Sequence, residues 1–401
     1  MLWTAGRIEP LKRGAAEAQG KIKDLVINGS SPTGDGWGQW LDGVSPGAEP
    51  GIYGTSACMQ ILVASGYLAS NEVIDKPSRN LDAVFAEENN QFRRDGDVDV
   101  VYKVSYLAEA FHLEKCEIKS ASPPMDELSD RALEGGGWGE YFCSRDDHDP
   151  HPRVIPTSAA LLALRRYEAF IFTKKCEESL CWLGRHIIEN GRLFPNEFTL
   201  ASLVLIEYSL LKLPKSEQGK TAVETCERLL VDWAISRKRE EIGTAEAYCY
   251  SVRWKGRRNN RYLFFLPDCL ATLALLKLGC PKKTRSYILR VSDYFAKEIL
   301  LRGGLRPVAT RRISSVDHLW IYRLLRELRS TDTKQLSMWP RWLSFTLVFW
   351  APLFLALGCF GLYWVYESAE PIVRVSGLVL GTISLGLLVG LLVRFLWPLG
   401  R

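Results

Sequence analysis

The chain has 401 residues, of which 47% are hydrophobic and 24% are charged, a composition that is ordinary for a folded protein. Its formal net charge of +5 is too small to indicate a protein that binds nucleic acid through overall charge. The charges are unevenly distributed, because residues 341–401 contain only six of them. The composition therefore predicts a soluble head followed by a membrane tail.

The cysteines and the first residues indicate the compartment of the head. The ten cysteines are scattered without a Cys-x-x-Cys pair, and the first seven residues lack the apolar core of a secretory signal. We therefore expect reduced, mostly buried thiols in a cytosolic head.

Segments dominated by Ala, Leu, Val and aromatic residues recur along residues 1–330, each behind a turn rich in glycine or proline. These six apolar helices are predicted to begin near Thr55, Asp99, Thr157, Phe198, Asp268 and Ser315. The turns are spaced roughly 40 to 60 residues apart, which leaves room for one pair of helices in each interval. The pattern therefore predicts helical repeats.

More polar, amphipathic segments separate the apolar ones and are typical of helices with one solvated face. They are predicted over residues 15–27, 78–91, 126–133, 174–189, 216–236 and 283–301. Buried helices that alternate with amphipathic ones predict a closed double ring, with inner helices around a core and outer helices covering it. The alternative is a linear solenoid, which would need polar capping repeats at its ends.

Two of the turns contain a tryptophan and look like copies of one motif. The motif comprises Trp37 in the first copy and Gly136, Gly137, Trp138 and Gly139 in the second. The tryptophan precedes the helix threonine by 18 residues in the first copy, at Thr55, and by 19 in the second, at Thr157. We interpret the motif as a structural turn, in which glycine lets the chain reverse and tryptophan packs against neighbouring helices.

Together these features resemble the α/α-toroid superfamily of terpenoid cyclases and protein prenyltransferase β subunits, which is built from prenyltransferase and squalene cyclase repeats. The resemblance rests on residues 136–139 with the helix start at 157–164, on the first copy, and on six helix pairs over roughly residues 15–330. It implies an all-α fold, an (α/α)6 toroid of six inner and six outer helices. Toroids include both enzymes and binding domains, so activity depends on the site.

The C-terminal tail contains two long apolar segments, residues 343–366 and 372–397, of 24 and 26 residues. Each exceeds the ~20 residues that cross a hydrocarbon core, and residues 367–371 between them suffice only for a turn. Basic residues before the first segment and after the second place the head and both termini in the cytoplasm. We therefore predict a toroid domain at 1–335 and a two-pass transmembrane hairpin at 336–401.

The second span carries two Gly-x-x-x-Gly motifs, Gly377 with Gly381 and Gly386 with Gly390. At 100° per residue the two motifs lie on opposite faces of the helix. One face can pack on the first span while the other binds a neighbouring protomer, which predicts a homo-oligomer. The alternative is that both motifs tighten the hairpin.

Basic residues gather before the fifth and sixth apolar helices and predict an anion-binding rim, because two helix N-termini point the same way. The rim comprises Arg253, Lys255, Arg257, Arg258, Arg261, Arg302, Arg306, Arg311 and Arg312. In a closed ring these two segments are neighbours, so they would bind an anionic or isoprenoid-like ligand. The alternative is that the rim faces anionic lipid headgroups.

The resemblance to prenyltransferases implies a zinc site made of an Asp, a Cys and a His, for which Asp268, Cys269 and His318 are the candidates. The family separates its acid and thiol by one residue, whereas Asp268 and Cys269 are adjacent. The alternative is that Asp268 begins a helix and that Ser314 with Asp317 forms a capping box. We expect no cofactor, with zinc at these three residues as the exception.

Three further acidic features lack a catalytic pattern. Residues 146–151, which include Asp146 and His148, match no cyclase motif and are interpreted as a solvated loop rather than a metal site, and residues 95–99 are interpreted as a turn and a helix cap. Glu109 and Glu207 lie on the second and fourth apolar helices and could project into a central cavity. A buried acid paired with Tyr or Arg is the commoner outcome.

We therefore predict a membrane-anchored cytoplasmic toroid that acts as a ligand- or partner-binding sensor module, by analogy with bacterial membrane effectors such as those of antiphage defence. The alternative is a membrane-tethered isoprenoid-processing enzyme of prenyltransferase or terpene cyclase type, against which the absent cyclase motifs and the imperfect zinc motif argue. A structural anchor is a third interpretation. The expected partners are membrane lipid, an anionic or isoprenoid-like ligand and a second copy of the chain, with no specific nucleic acid.

Overall fold

The computed structural model describes residues 5–42, 49–67, 71–84, 100–111, 122–140, 151–189, 195–211, 217–254, 257–307, 311–337, 356–360, 363 and 379. The chain divides into two compact units, Glu9–Leu336 and a smaller unit of Met1–Ile8 with Ser337–Arg401. The first unit contains the site described below.

In chain order the helices are α1 (Ala5–Asn28), α2 (Ile52–Ala64), α3 (Glu72–Asp82), α4 (Val101–Phe111), α5 (Ser122–Asp130), α6 (Val154–Leu164), α7 (Glu168–Ile171), α8 (Lys174–Glu189), α9 (Pro195–Leu210), α10 (Glu217–Ser236), α11 (Pro267–Lys277), α12 (Arg285–Arg302), α13 (Ser315–Ser330) and α14 (Thr333–Leu336). The strands β1 (Glu246–Trp254) and β2 (Arg257–Phe265) precede α11.

The apolar helices α2, α4, α6, α9, α11 and α13 form a closed cycle, since each packs against the next and α13 packs against α2. Every residue of α6 and all but the last residue of α11 are buried. A helix that is apolar on all sides can be stable only when other elements surround it. Each of the six predicted apolar helices is present and begins within three residues of the predicted start. The cycle is compatible with the predicted all-α toroid.

The amphipathic helices α3, α5, α8, α10 and α12 pack on the outside of this cycle, each against one or two apolar helices. Helix α1 has a buried face that repeats every three or four residues and includes Ala15, Ile22 and Val26, and its Gln19 side chain donates to the Tyr322 carbonyl of α13 at 3.2 Å. The bounds predicted for α8 are confirmed, and those for α10 and α12 are correct to within two residues.

The prediction for the second amphipathic helix is wrong in its position. The sequence predicted residues 78–91, whereas α3 spans Glu72–Asp82 and contains Pro77. The side chain of Asn71 accepts a hydrogen bond from the Val73 amide and caps the helix N-terminus. A good N-cap stabilises a helix by about 1 kcal/mol, so the helix starts at this cap, ahead of the proline.

The prediction of a basic loop before the fifth apolar helix is also corrected. Residues 246–265 form an antiparallel β-hairpin, in which Glu246 pairs with Phe265 at one end and Trp254 pairs with Arg257 at the other. Aromatic and β-branched residues occupy every second position here, at Tyr248, Tyr250, Val252 and Trp254. This alternation is typical of a strand. The helical domain therefore carries one β-hairpin among its described residues.

The two tryptophan turns adopt the same arrangement. The Trp37 amide donates to the Thr55 hydroxyl at 3.0 Å, and that hydroxyl donates to the Trp37 carbonyl at 3.1 Å. The indole N–H groups donate to carbonyls of the preceding amphipathic helices, Trp37 to Val26 at 2.6 Å and Trp138 to Leu128 at 2.8 Å. The predicted internal repeat is confirmed, and its tryptophans join an outer helix to an inner one.

Backbone hydrogen bonds join the first turn to the last helix pair. The Leu41 amide donates to the Ile313 carbonyl at 2.8 Å, and the Ser315 amide donates to the Gln39 carbonyl at 2.9 Å. Trp40 and Ser314 form an antiparallel bridge between these bonds. The two ends of the helical domain, which a linear solenoid would leave apart, are thus in contact.

The predicted membrane spans lie largely outside the described residues, as do Gly377, Gly381, Gly386 and Gly390. Within the described part of the chain, no helix is both long and apolar enough to span a bilayer. The short described stretch of the first predicted span is helical, and its large side chains at Leu357, Phe360 and Tyr363 are exposed.

Candidate functional site

A cavity of about 370 Å³ lies at the C-terminal ends of the six apolar helices, and each of these helices contributes to its walls. Its charged side chains are Glu109, Arg165, Arg166, Glu207, Lys277, Arg323, Arg326 and Glu327. Glu109 comes from α4 and Glu207 from α9, and both acids line the cavity while Glu109 is also paired with arginine. A pocket of this size is at the small end of the range for small-molecule sites.

Five ion pairs join six of these side chains in a series of alternating charge, Arg323, Glu109, Arg165, Glu207, Lys277 and Glu327. We call this series the ion-pair ring because it begins and ends on α13. Glu109 Oε1 lies 2.7 Å from Arg165 Nη1 and 2.8 Å from Arg323 Nη2. Arg165 Nε lies 4.0 Å from Glu207 Oε2. Lys277 Nζ lies 3.3 Å from both Glu207 Oε1 and Glu327 Oε2.

The ion-pair ring connects the helices in their order around the cycle. It passes from α13 through α4, α6, α9 and α11 and returns to α13, on which Arg323 and Glu327 are one turn apart. Helix α2 joins through Gln60, whose Oε1 accepts a hydrogen bond from Arg323 and whose Nε2 donates to the Tyr106 carbonyl at 3.1 Å. The ends of all six apolar helices are thereby linked.

The environment keeps the most buried pair ionised. Burial by itself would raise the pKa of Glu109, but the guanidinium groups of Arg323 and Arg165 outweigh it and lower that pKa to about 2. Burial would lower the pKa of Arg165, yet the carboxylates of Glu109 and Glu207 raise it. Glu109 and Arg165 are therefore both charged at neutral pH.

Buried aromatic side chains pack together beside the ion-pair ring. Tyr53, Tyr102 and Tyr106 have ring centroids 5.0 to 5.6 Å apart, and their hydroxyls are linked at 3.2 and 3.0 Å. The Trp320 indole donates to the Tyr106 hydroxyl at 2.9 Å, and the Arg323 guanidinium lies 4.7 Å from the Trp320 ring centroid. This cluster therefore contacts Arg323 through the Trp320 ring.

Arg166 and Arg326 also line the cavity but do not belong to the ion-pair ring. Both are exposed, and neither forms an ion pair with any other residue that the structure describes. The ring has three positive and three negative side chains and is neutral, so these two arginines make the cavity positive. The arrangement can attract and bind an anion.

The predicted basic rim lies at the opposite, N-terminal ends of α11 and α13. The structure places Arg253, Arg257, Arg258 and Arg261 on the β-hairpin, while Lys255 lies outside the described residues. Arg302 pairs with Glu298 at 3.0 Å, and Arg311 is exposed.

Two arginines of the predicted rim contribute to the junction between the first and last turns. Arg306 lies 3.5 Å and Arg312 lies 3.8 Å from Asp42, and Arg312 also stacks 5.3 Å from the Trp40 ring centroid. Their described contacts are therefore structural. The cavity residues that sequence reasoning missed, such as Arg165 and Lys277, could have been found as cations at the last turn of otherwise apolar helices.

Two of the three candidate zinc ligands, Asp268 and His318, have hydrogen-bond partners within the protein. The Asp268 carboxylate accepts hydrogen bonds from Arg237 at 3.1 Å and from the Tyr287 hydroxyl at 2.7 Å. One ring nitrogen of His318, Nε2, accepts from the Leu305 amide at 3.1 Å, and the other lies 2.7 Å from the Ser314 carbonyl. Burial lowers the pKa of His318 to about 4 and raises the pKa of the Cys269 thiol.

These contacts fit the alternative interpretation, in which Asp268 and Ser314 belong to helix starts. The Asp317 amide donates to the Ser314 hydroxyl at 3.3 Å, as in a helix cap. Across the described ranges, no three His, Cys, Asp or Glu side chains are grouped so that they could hold a metal ion. Asp146, Asp147, His148 and Asp149, and residues 91–99, lie outside those ranges.

Comparison with models of known protein families and with curated proteins finds no match to this chain. The resemblance to the toroid superfamily thus depends on the cycle of apolar helices and on the two tryptophan turns. The cavity is the feature of the described residues that bears on function.

Proposed function

We propose that this protein is a membrane-tethered binding module: an (α/α)6 toroid of the terpenoid cyclase and prenyltransferase β-subunit type binds a small anionic ligand in its central cavity, and the C-terminal transmembrane hairpin is the output. The observation that carries the proposal is the positive cavity at the ends of six helices, which the ion-pair ring lines. A membrane effector is the corresponding biological role.

The electrostatics of the cavity favour binding over acid–base catalysis. A general acid or base works best when its pKa lies near the operating pH. Glu109, with a pKa of about 2, stays ionised, and the raised pKa of Arg165 keeps its proton in place. Fixed charges of this kind attract and orient a charged ligand.

An isoprenoid substrate fits this cavity poorly. Six paired charges line the cavity, and a prenyl chain that extends along them would separate them from water without offering a hydrogen bond in return, since only a short apolar group can be accommodated at the leucines that also line the cavity. The charged lining therefore favours the binding module over the isoprenoid-processing enzyme.

Helix α13 offers a direct route from the cavity to the tail. It contributes Leu319, Trp320, Tyr322, Arg323, Arg326, Glu327 and Ser330 to the cavity walls. Only α14 separates its end from Ser337, where the second unit begins. A helix that exchanges between two positions becomes more populated in the position that the ligand binds more tightly. In this proposal α13 is that helix, and its change of position is passed to the segment that follows it.

The membrane arrangement follows from the sequence alone. We propose that both termini and the toroid are cytoplasmic, that the two spans contact membrane lipid, and that Gly386 and Gly390 contact a second protomer.

The test compares membrane permeability in bacteria that express the full chain with that in bacteria that express a chain ending before Met338. We expect leakage of a membrane-impermeant dye with the full chain alone. Ala64→Trp, which places a large side chain in the cavity wall, should change this leakage, whereas Ala169→Trp on exposed α7 should not. Equal leakage from the full and shortened chains, or no effect of a folded Ala64→Trp variant, would refute the proposal.

A further inference from the structure

We propose that the ligand of the central cavity is a small amphiphilic phosphate monoester, whose dianionic head binds Arg166 and Arg326 and whose apolar part packs on leucines beneath the ion-pair ring. The inference rests on the proposed function, because it takes the cavity to be the binding site.

Arg166 and Arg326 have the position and the charge for a dianion. Arg166 follows the end of α6, and Arg326 lies on the last turns of α13, so they reach the same cavity from two helices. Both side chains are exposed at its walls and have no acidic partner among the residues that the structure describes. Guanidinium groups present planar sets of donors that match phosphate oxygens, and two of them balance two negative charges.

The ion-pair ring sets the charge that the cavity accepts. Glu109, Glu207 and Glu327 already neutralise Arg165, Lys277 and Arg323. These three cations are therefore already paired. The additional charges of a ligand with more than two negative charges would be repelled by the carboxylates. The number of cavity cations outside the ion-pair ring, which is two, favours a ligand with a single phosphate group over a polyphosphate.

A leucine floor lies one helical turn from the ring. Leu203, Leu273 and Leu319 precede Glu207, Lys277 and Arg323 by four residues on α9, α11 and α13, and residues four apart share a helix face. All three leucines line the cavity and are at most 4% exposed. An apolar substituent of the ligand would leave water when it packs on these side chains, a gain in free energy that an inorganic anion cannot make.

The cavity volume limits the length of the apolar part. About 370 Å³ accommodates a short chain or a single ring beside the phosphate group. The same phosphate monoester chemistry occurs in soluble esters and in the headgroup of phosphatidic acid. The experiment must therefore separate a soluble source from a membrane source.

The experiment uses the full chain reconstituted into vesicles of zwitterionic phosphatidylcholine and titrated calorimetrically with n-butyl phosphate. We expect n-butyl phosphate to bind at least about tenfold more tightly than inorganic phosphate or n-butanol, because each of these supplies only one of the two contacts. Arg166→Gln combined with Arg326→Gln should weaken binding by at least about tenfold. The matched control, Arg228→Gln with Arg239→Gln, changes two exposed arginines away from the cavity and should leave affinity unchanged.

A second arm replaces part of the phosphatidylcholine with phosphatidic acid. Weaker apparent binding of n-butyl phosphate in these vesicles identifies the lipid headgroup as a competitor, and unchanged binding indicates a soluble ligand. The ligand class is overturned if n-butyl phosphate binds no more tightly than inorganic phosphate, or equally well to the Arg166→Gln/Arg326→Gln protein. Both arginines are exposed, so thermal unfolding of this variant should match the parent and confirm that it folds.

The two proposals fail in different ways. If Ala64→Trp changes membrane leakage but n-butyl phosphate does not bind, the role of the cavity stands and the ligand class is wrong. If n-butyl phosphate binds through the two arginines but leakage does not depend on the tail, the ligand class stands and the membrane effector is wrong.

Discussion

The hydroxyl of Thr157 holds the backbone of Trp138 at both of its polar groups. The Trp138 amide donates to Thr157 Oγ1 at 2.9 Å, and Thr157 Oγ1 donates to the Trp138 carbonyl at 3.2 Å. Thr55 makes the same two bonds to Trp37, so the threonines join turn and inner helix in both copies of the repeat. One hydroxyl thereby supplies the hydrogen bonds that a strand or helix would otherwise provide for the buried amide and carbonyl of the tryptophan.

Thr157→Val keeps the shape of the side chain and removes these bonds. The Trp138 carbonyl still accepts from the Arg153 amide at 2.9 Å, whereas the buried Trp138 amide loses its partner. We expect a loss of about 1–3 kcal/mol in the free energy of unfolding, measured by urea denaturation. Thr55→Val should cost a similar amount. Thr221→Val on exposed α10 is the control, and an equal effect of Thr221→Val and Thr157→Val would contradict the structural role.

Gly136 and Gly135 provide a matched pair for the second tryptophan turn. Both have a positive φ, +98° and +85°, but a Cβ on Gly136 would lie 2.5 Å from backbone atoms of Glu178, whereas one on Gly135 would meet open space. Gly135→Ala should cost about 1–2 kcal/mol of unfolding free energy from conformation alone. Gly136→Ala should cost clearly more in the same denaturation experiment. Equal costs would show that the close approach to α8 does not constrain the turn.

Glu109→Gln tests the ion-pair ring. The substitution removes the charge between Arg165 and Arg323, whose side chains are only 15% and 20% exposed, and leaves two poorly hydrated cations side by side. We expect a loss of about 3 kcal/mol in unfolding free energy at pH 7. Glu127→Gln, which breaks the exposed pair with Arg131, should cost at most about 0.5 kcal/mol.

The contribution of Glu109 also predicts a pH dependence. Its pKa is lowered from 4.5 to about 2 in the folded protein, so its stabilising contribution is present above pH 4.5 and is lost as the pH falls towards 2. The difference in unfolding free energy between the parent and Glu109→Gln should therefore shrink across this window. A difference that stays constant would show that Glu109 is not held ionised by its two arginines.

Asp317 should show the opposite dependence. Burial raises the pKa of the Asp317 carboxyl from 3.8 to about 7 and outweighs the neighbouring Ser314 hydroxyl, which lowers it. The folded state then favours the protonated acid, so the contribution of Asp317 to stability is fully present below pH 3.8 and is lost as the pH rises through 7. Asp317→Asn cannot ionise, and we expect it to be more stable than the parent at pH 8 by up to about 4 kcal/mol.

Denaturation of both proteins between pH 5 and 8 measures this difference. The depressed pKa of the neighbouring His318, about 4, removes stability from both proteins as the pH falls below 6.5, so it cancels in the comparison. If Asp317→Asn is no more stable than the parent at pH 8, then Asp317 is stabilised as a carboxylate.

The amino-acid sequence by itself determined the apolar and amphipathic helices and the tryptophan turns. These features are local: an α-helix that is apolar all round, such as α6, must be buried wherever it lies, and a repeated spacing of tryptophan and threonine reflects a repeated turn. Local signals gave the wrong start for α3, because two of them competed. Asn71 caps the helix at its actual start, whereas Pro77 indicated a helix that begins after it. They also failed at the β-hairpin, where basic residues interrupt an alternating strand pattern.

Only the tertiary structure decided which residues form the candidate site. Glu109, Arg165 and Arg323 are far apart in the sequence, and each alone resembles an ordinary charge near a helix end. They meet because the cycle of apolar helices closes and brings six C-terminal ends around one cavity. The predicted rim pointed to the N-terminal ends instead, because a count of charges along the chain does not show which arginines are already paired, as Arg306 and Arg312 are with Asp42. The charge available to a ligand depends on pairing, and pairing depends on distances that only the closed cycle sets.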